Sequence, residues 1–151
     1  MAGPIGLLSY LGHGKVVVRG EEKSLKNLAF IAGGSGITPI YNIIQSSLRH
    51  KDGVNLSLLY ANHTPADILL KSHLDTLHAE NANNFKLNYT VSRGNDESWT
   101  GFTGRINKEM IAKSIPPPSA DLLIVTIGPK GFNEAAKEAL VELGYTEDMY
   151  L

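Results

Sequence analysis

The sequence predicts an α/β fold in which a parallel sheet of about five strands carries helices on both faces. Short apolar segments with strand character alternate along the chain with segments of helical periodicity, which is typical of parallel sheets. One strand segment is wholly apolar and two more are mostly apolar and expected to be buried, as is usual where helices cover both faces of a sheet. They are residues 28–32, 56–61 and 122–127. The 151 residues suffice for one domain with a hydrophobic core.

The remaining elements follow from periodicity and from capping residues. Residues 85–91, which alternate, and the edge segment 149–151 predict two further strands. Four helices are predicted: residues 40–48, the segment opened by Thr64-Pro65 that carries Leu70, Leu74 and Leu77, the segment capped by Asn107, and the segment from Phe132 to Leu143 that ends at Gly144. The connections are residues 20–26, expected to be a linker or turn, and residues 92–105, expected to be a polar loop.

Composition and charge exclude several classes of function. A formal net charge of −1 lacks the basic excess of a nucleic-acid-binding domain. The absence of cysteine excludes disulfides and thiolate sites, and fits an intracellular protein that is cytoplasmic or faces the cytosol. No apolar run is long enough to span a bilayer, so any membrane anchor of the parent protein is expected outside this chain. His73 and His78 are five residues apart rather than four, and no metal site is expected.

A glycine-rich loop follows the first apolar strand and precedes a helix. Backbone N–H groups and the helix dipole favour a phosphate at such a place, and glycine lets the backbone approach it closely. Gly34-Ser35-Gly36 matches the first half of a dinucleotide-binding fingerprint, whereas Pro39 stands where a third glycine is usual. Thr38 is predicted to cap the helix and Pro39 to be its first residue. The loop favours a Rossmann-like fold, and a tight strand-to-helix connection without a ligand is the alternative.

The same loop carries a family resemblance. Residues 31–39, Ile-Ala-Gly-Gly-Ser-Gly-Ile-Thr-Pro, resemble the Gly-Gly-Thr/Ser-Gly-Ile-Thr-Pro segment of the cytochrome b5 reductase and assimilatory nitrate reductase family, among the ferredoxin-NADP-reductase-like flavoproteins. Further similar segments follow the family's order. They are Gly3-Pro4-Ile5-Gly6, Tyr60-Ala61-Asn62-His63-Thr64, Asp67-Ile68-Leu69-Leu70, Gly101-Phe102, Glu109-Met110-Ile111, Pro116-Pro117-Pro118 and Gly128-Pro129. The resemblance extends over nearly the whole chain.

The resemblance implies the NAD(P)H-binding part of a flavoenzyme. In this family NAD(P)H passes a hydride to FAD, and the flavin reduces a one-electron acceptor such as the haem of cytochrome b5. An N-terminal β-barrel holds most of the flavin and is expected to be missing here. Residues 1–26 are then the connector from that flavin-binding domain, and residues 27–151 the NAD(P)H-binding domain. The cofactors supply the chemistry, so no catalytic side chain is expected, and the fragment alone is expected to be inactive.

The resemblance also implies which residues bind the cofactor. The glycine loop lines the pyrophosphate, and a second loop lies beside the nicotinamide at the carboxyl end of a strand. The residues are Gly33, Gly34, Ser35, Gly36, Thr38 and Pro39 in the first loop, Asp67 at the ribose, and Gly128, Pro129 and Phe132 at the nicotinamide. For Phe132, the core face of the last helix is an equally good interpretation.

Asp67 bears on the choice between NADH and NADPH. By the resemblance, an aspartate there favours NADH, because a carboxylate accepts hydrogen bonds from ribose hydroxyls and repels a 2′-phosphate. No arginine lies between residues 60 and 70 to receive that phosphate, whereas His63 and Lys71 are expected to offset the repulsion, which leaves NADPH as the alternative. Asp67 also suits the cap of a helix that starts at Thr64-Pro65, and the two roles are compatible.

Two departures from the family pattern keep other hypotheses open. Ile127 stands where the family usually has a cysteine, and the chain ends at Leu151 rather than at an aromatic residue. The nearest variant of the reductase hypothesis is a nitrate reductase domain. A non-catalytic dinucleotide-binding partner module is the second hypothesis, which Ile127 favours. A free-standing dehydrogenase is the third, and it lacks the third glycine and a proton donor.

Overall fold

The computed structural model describes residues 8–12, 15–18, 20–34, 36–50, 53–94 and 97–150. These residues form a small antiparallel sheet followed by a larger parallel sheet with its helices. The strands are β1 Leu8–Gly12, β2 Lys15–Val18, β3 Glu21–Ser24, β4 Asn27–Gly33, β5 Asn55–Asn62, β6 Phe85–Val91, β7 Phe102–Thr103 and β8 Leu122–Ile127. The helices are α1 Ile37–His50, α2 Lys71–Glu80, α3 Lys108–Ser114 and α4 Lys130–Glu142, with single 3₁₀ turns at Pro65–Asp67 and Glu147–Met149.

The five-stranded sheet has the order β7-β6-β5-β4-β8 and is parallel throughout, which confirms the predicted fold class. Within this sheet, β4 comes first along the chain, and β5, β6 and β7 follow on one side of it. The chain then crosses back, so that β8 pairs with the other side of β4. The order of strands therefore reverses between β4 and β8, whose carboxyl ends lie at the same edge. The crevice at such a reversal is the usual ligand site of open α/β sheets.

Helices cover both faces of this sheet. Ile40 and Ile44 of α1 and Leu74 of α2 belong to one hydrophobic core. Ile111 of α3 and Leu140 of α4 belong to the core on the other face. Strand β4 lies between the two cores and is buried along nearly its whole length, which explains why its sequence is apolar without alternation.

The predicted start of the first helix is wrong. Helix α1 begins at Ile37, so Thr38 and Pro39 lie inside its first turn and are neither its cap nor its first residue. Proline is tolerated there because the first N–H groups of a helix have no partner within it. Two other end signals are confirmed: the Asn107 side chain accepts a hydrogen bond from the Met110 N–H at 2.9 Å, and Gly144 follows α4 with a φ of +95°.

Two connecting segments contain strands that the sequence did not predict. Strand β3 occupies most of the expected linker at 20–26, and its side chains are too exposed for apolar alternation to mark it. Strand β7, in the expected polar loop, is the fifth strand of the parallel sheet. The predicted strand at 149–151 is reduced to one parallel bridge between Tyr150 and Ile124. The segments Gly3-Pro4-Ile5-Gly6, Ser35 and Leu151 lie outside the described residues.

Candidate functional site

Two glycine-containing loops meet where the order of strands reverses. Gly33 ends β4 and is followed by Gly34 and Gly36 before α1, while Gly128 and Pro129 connect β8 to α4. Both helices therefore begin at the same edge of the sheet, and the positive ends of their dipoles lie beside the crevice. The structure brings together two loops that are almost a hundred residues apart in the sequence.

The ring of Phe132 packs against both loops. A Cβ atom on Gly33 would lie 3.0 Å from ring carbons of Phe132, and one on Gly128 would lie 2.5 Å from Cδ2. Contacts under 3.0 Å are essentially never seen for real Cβ atoms, so Gly128 cannot become a larger residue unless the ring moves. Phe132 is partly buried and also packs against the core beneath α4. The ring thus belongs both to that core and to the wall of the crevice.

Ile127 and Gly34 complete the described part of the crevice. The Cγ2 methyl of Ile127 fills the space beside Gly36. Gly34 has a φ of +72°, and nothing lies within 4 Å of its would-be Cβ atom, so open space adjoins its α-carbon. Glycine is favoured in this left-handed conformation because it has no Cβ atom.

Two asparagines at this edge of the sheet were missed in the sequence. Asn133, in the first turn of α4, donates a hydrogen bond from Nδ2 to the Gly128 carbonyl at 3.0 Å, and Asn62 ends β5. Asn133 Oδ1 and Asn62 Nδ2 are buried and have no hydrogen-bond partner among the described residues. An unpaired buried polar atom is unfavourable, so one free acceptor and one free donor fit a polar ligand at this edge. Asparagine is common at the ends of elements, which left no distinctive signal in the sequence.

Asp67 lies in the turn that follows β5, the neighbour of β4 on the side away from β8. Its Oδ2 accepts hydrogen bonds from the Thr64 N–H at 3.2 Å and from the Thr64 hydroxyl at 2.9 Å, which confirms the predicted cap. The cap closes a single 3₁₀ turn, however, and not the start of α2. Helix α2 begins only after Leu70, whose left-handed backbone (φ 59°) interrupts the helical path.

The charged neighbours of the Asp67 turn differ from those expected. The Lys71 ammonium forms an ion pair with Asp75 of the same helix at 2.7 Å. It therefore already has a carboxylate partner other than Asp67, whose charge it was expected to offset. Arg93, which follows β6, donates its backbone N–H to the His63 carbonyl at 2.8 Å and has an exposed side chain. An arginine therefore lies near the turn although residues 60–70 contain none. The sequence does not reveal it because it comes from the next strand of the sheet.

The two histidines considered as metal ligands, His73 and His78, contact other residues of the chain. The His73 ring packs edge-on against Tyr41 with centroids 6.0 Å apart, and His78 Nδ1 lies 2.7 Å from the Phe85 carbonyl oxygen. Within the described ranges, no three metal-binding side chains are grouped around one point. In the same part of the chain, no helix combines the length and the apolar character needed to cross a bilayer.

These features define an α/β nucleotide-binding domain. They are the reversal of strand order in a parallel sheet, the two helices that start there behind glycine loops, and the unpaired polar atoms at that edge. The polar groups at this edge also suit a dinucleotide. Its phosphate oxygens accept hydrogen bonds from backbone N–H groups, and its carboxamide N–H donates a hydrogen bond to an oxygen such as Asn133 Oδ1.

Comparison with known proteins narrows this class. The chain belongs to the oxidoreductase NAD-binding domain family, whose model matches residues 30–138. It is 38% identical over 151 residues to an NADH nitrate reductase of Lotus tetragonolobus, which covers 97% of this chain and 92% of that sequence. It is 39% identical over 154 residues to NADH-cytochrome b5 reductase 2 of Danio rerio, which covers 97% of this chain and 50% of that protein.

A solved structure agrees with these relatives. The crystal structure of the cytochrome b5 reductase domain of Ulva prolifera nitrate reductase matches this fold with a TM-score of 0.90 and 30% sequence identity. The match covers 98% of this chain and 57% of that one. The family resemblance read from the sequence is therefore confirmed, and the chain spans about half of the cytochrome b5 reductase that it matches.

Proposed function

We propose that this chain is the NADH-binding domain of a flavoenzyme of the cytochrome b5 reductase type. The observation that carries the proposal is the meeting of the glycine loop with the Gly128-Pro129 loop at the reversal between β4 and β8. A ligand in that crevice is within reach of two helix N-termini. The names of the Lotus tetragonolobus and Danio rerio relatives support NADH as the cofactor.

The proposed roles follow the position of each described residue and, for Ser35, the family resemblance. The first loop binds the pyrophosphate through Gly33, Gly34, Ser35 and Gly36, with Thr38 and Pro39 in the turn behind it. Gly128, Pro129 and Phe132 bind the nicotinamide end, because they lie at the crevice on the β8 side. Asp67 binds the ribose from the β5 side. Phe132 and Ile127 keep water away from the nicotinamide face with hydrocarbon surfaces.

The whole protein extends this role. NADH supplies a hydride, FAD accepts its two electrons, and a haem protein such as cytochrome b5 takes them one at a time. The flavin-binding domain of the same polypeptide is the direct partner, residues 1–26 are its connector, and the protein is cytoplasmic or faces the cytosol. A nitrate reductase has the same domain and differs in the domains attached to it, so the relatives support both parents.

The first test titrates the chain with NADH and NADPH by calorimetry. We expect NADH to bind and NADPH to bind more weakly, because the Asp67 carboxylate repels a 2′-phosphate. The absence of binding by either nucleotide would overturn the proposal for this domain. In the complete protein, stopped-flow mixing with NADH should bleach the flavin absorbance within the turnover time.

A second function is favoured by one specific contact. Ile127 fills the space beside Gly36 with a branched hydrocarbon, where the resembling family has a thiol. An isoleucine at this position is also consistent with a dinucleotide-binding module that no longer transfers a hydride. Such a module binds NADH without reducing the flavin of the complete protein, so the same stopped-flow experiment separates the two functions.

A further inference from the structure

Tyr60 is a buried tyrosine whose hydroxyl lies at the edge of the candidate site. Its side chain is fully buried in the core beneath α1 and α2, and its position in β5 pairs with Ala32 of β4. The hydroxyl donates a hydrogen bond to the Gly34 carbonyl oxygen at 3.1 Å. An aromatic residue in an apolar strand predicts only core packing, so the sequence does not reveal this contact.

Both backbone polar groups of Gly34 are held by β5. Its N–H donates to the Ala61 carbonyl at 3.2 Å, and its own carbonyl accepts from Tyr60. Gly34 has no side chain to pack and open space beside its α-carbon, so these two hydrogen bonds set the orientation of the loop here. A carbonyl oxygen turned toward a phosphate repels it. The bond to Tyr60 keeps that partial negative charge away from the ligand.

The Tyr60 hydroxyl keeps the proton that this hydrogen bond needs. Burial raises the pKa of Tyr60 above its usual value. The O–H therefore stays available as the donor to the Gly34 carbonyl oxygen.

We propose that Tyr60 is a positioning residue whose hydroxyl holds the Gly34 carbonyl and so keeps the glycine loop in the orientation that binds the pyrophosphate. This inference rests on the proposed function, since it takes Gly34 as a contact of the cofactor. The ligand half that depends on Tyr60 is adenosine diphosphate, because that half carries the pyrophosphate.

A matched pair of variants isolates the Tyr60 hydroxyl. Tyr60→Phe removes the hydroxyl and keeps the ring. Tyr89→Phe is the control, because Tyr89 pairs with Tyr60 across β5 and β6, with ring centroids 6.3 Å apart. The Tyr89 hydroxyl donates to Asp75 at 2.7 Å, away from the glycine loop. Each variant therefore loses one partly buried tyrosine hydrogen bond, but only Tyr60→Phe loses a bond to the loop.

Calorimetric titration of the chain with NADH and with ADP is the first measurement. We expect Tyr60→Phe to weaken both affinities about fivefold, the effect of one hydrogen bond. We expect Tyr89→Phe to change both affinities less than about twofold, although its melting temperature should fall about as much as that of Tyr60→Phe. An unchanged affinity in Tyr60→Phe, or an equal loss in both variants, would overturn the proposal.

Hydrogen exchange in the ligand-free chain is the second measurement, and it does not depend on cofactor binding. Tyr60→Phe should speed amide exchange in residues 33–36, and Tyr89→Phe should leave it unchanged there. Unchanged exchange in these residues of Tyr60→Phe would contradict the positioning role. If the unaltered chain binds no NADH, the proposed function fails, and the exchange rates still decide whether Tyr60 holds the glycine loop.

Discussion

Ile127 and Gly36 are in contact across the reversal of the parallel sheet: a Cβ atom on Gly36 would lie 2.4 Å from Ile127 Cγ2. Ile127 ends β8, and Gly36 immediately precedes α1. The contact therefore joins the two loops of the candidate site through one methyl group. Position 36 accepts a side chain only if Ile127 or the loop moves.

Gly36→Ala should destabilise the fold and weaken NADH binding. We expect the free energy of unfolding to fall by about 1–3 kcal/mol, the usual effect of overpacking, as measured by urea denaturation. Gly131→Ala is the control, because Gly131 lies in the first turn of α4 with nothing within 4 Å of its would-be Cβ atom. That variant should be neutral or more stable by about 0.5–1 kcal/mol, as alanine is the better helix former.

Ile127→Ala should reduce the effect of the Gly36 substitution. The variant removes the Cγ2 methyl that a Cβ atom on Gly36 would meet. In this background Gly36→Ala should cost less than half of its cost in the unaltered chain, because the overlapping atom is gone. Additive losses in the double variant would show that steric overlap with Ile127 is not the cause.

Phe132→Ala should weaken NADH binding more than ADP binding. The ring packs against Gly33 and more closely against Gly128, so it lies mainly on the nicotinamide side of the proposed site, and ADP has no nicotinamide. We expect NADH affinity to fall by about tenfold and ADP affinity by less than about twofold, measured by calorimetry. Val141→Ala, an exposed position on the same helix, serves as the control. Equal losses for the two ligands would place Phe132 in the core alone.

Asp67→Asn should shift the cofactor preference without loss of the cap. Asparagine keeps an oxygen for the Thr64 N–H and hydroxyl but removes the charge that repels a 2′-phosphate. The ratio of NADPH to NADH affinity should rise about threefold or more. Asp67→Ser should raise the ratio too, but should also lower the free energy of unfolding by about 0.5–1 kcal/mol through loss of the cap. If the ratio stays unchanged in both variants, Asp67 acts only as a cap.

Asn107→Ala should lower stability without an effect on the site. The side chain caps α3 through the Met110 N–H at 2.9 Å, and its loss should cost about 1 kcal/mol in denaturant unfolding. NADH affinity should remain the same, because this cap lies on a helix outside the two glycine loops. A parallel loss of affinity would mean that general destabilisation, rather than a local contact, weakens binding in the loop variants.

Local chemistry explains which elements could be predicted from the sequence. Strands buried on both faces, such as β4 and β8, are apolar runs, and the end signals at Asn107 and Gly144 depend on a few neighbouring residues. Strand β3 is mostly exposed, and β7 has only two residues and is paired at one side of the sheet. Neither leaves an apolar pattern. Strand β3 is defined by its antiparallel pairing with β2 and β7 by its parallel pairing with β6, and no apolar alternation marks either pairing in the sequence.

The candidate site divides in the same way. The glycine loop and Gly128-Pro129 are visible as motifs because, in the proposed function, the backbone itself binds the ligand. Tyr60 and Arg93 reach their partners from neighbouring strands, through contacts with Gly34 and His63. Each of these residues has an ordinary local explanation, so only the order of strands in the sheet reveals its position.

Amide NMR spectra recorded during titration with NADH test most directly whether a dinucleotide binds where β4 and β8 end. We expect the amides of Gly33, Gly34, Gly36 and Gly128 to shift furthest and their shifts to saturate together. Shifts concentrated elsewhere, for example in the groove between β7 and α3 lined by Phe102 and Met110, would contradict binding at this edge of the sheet.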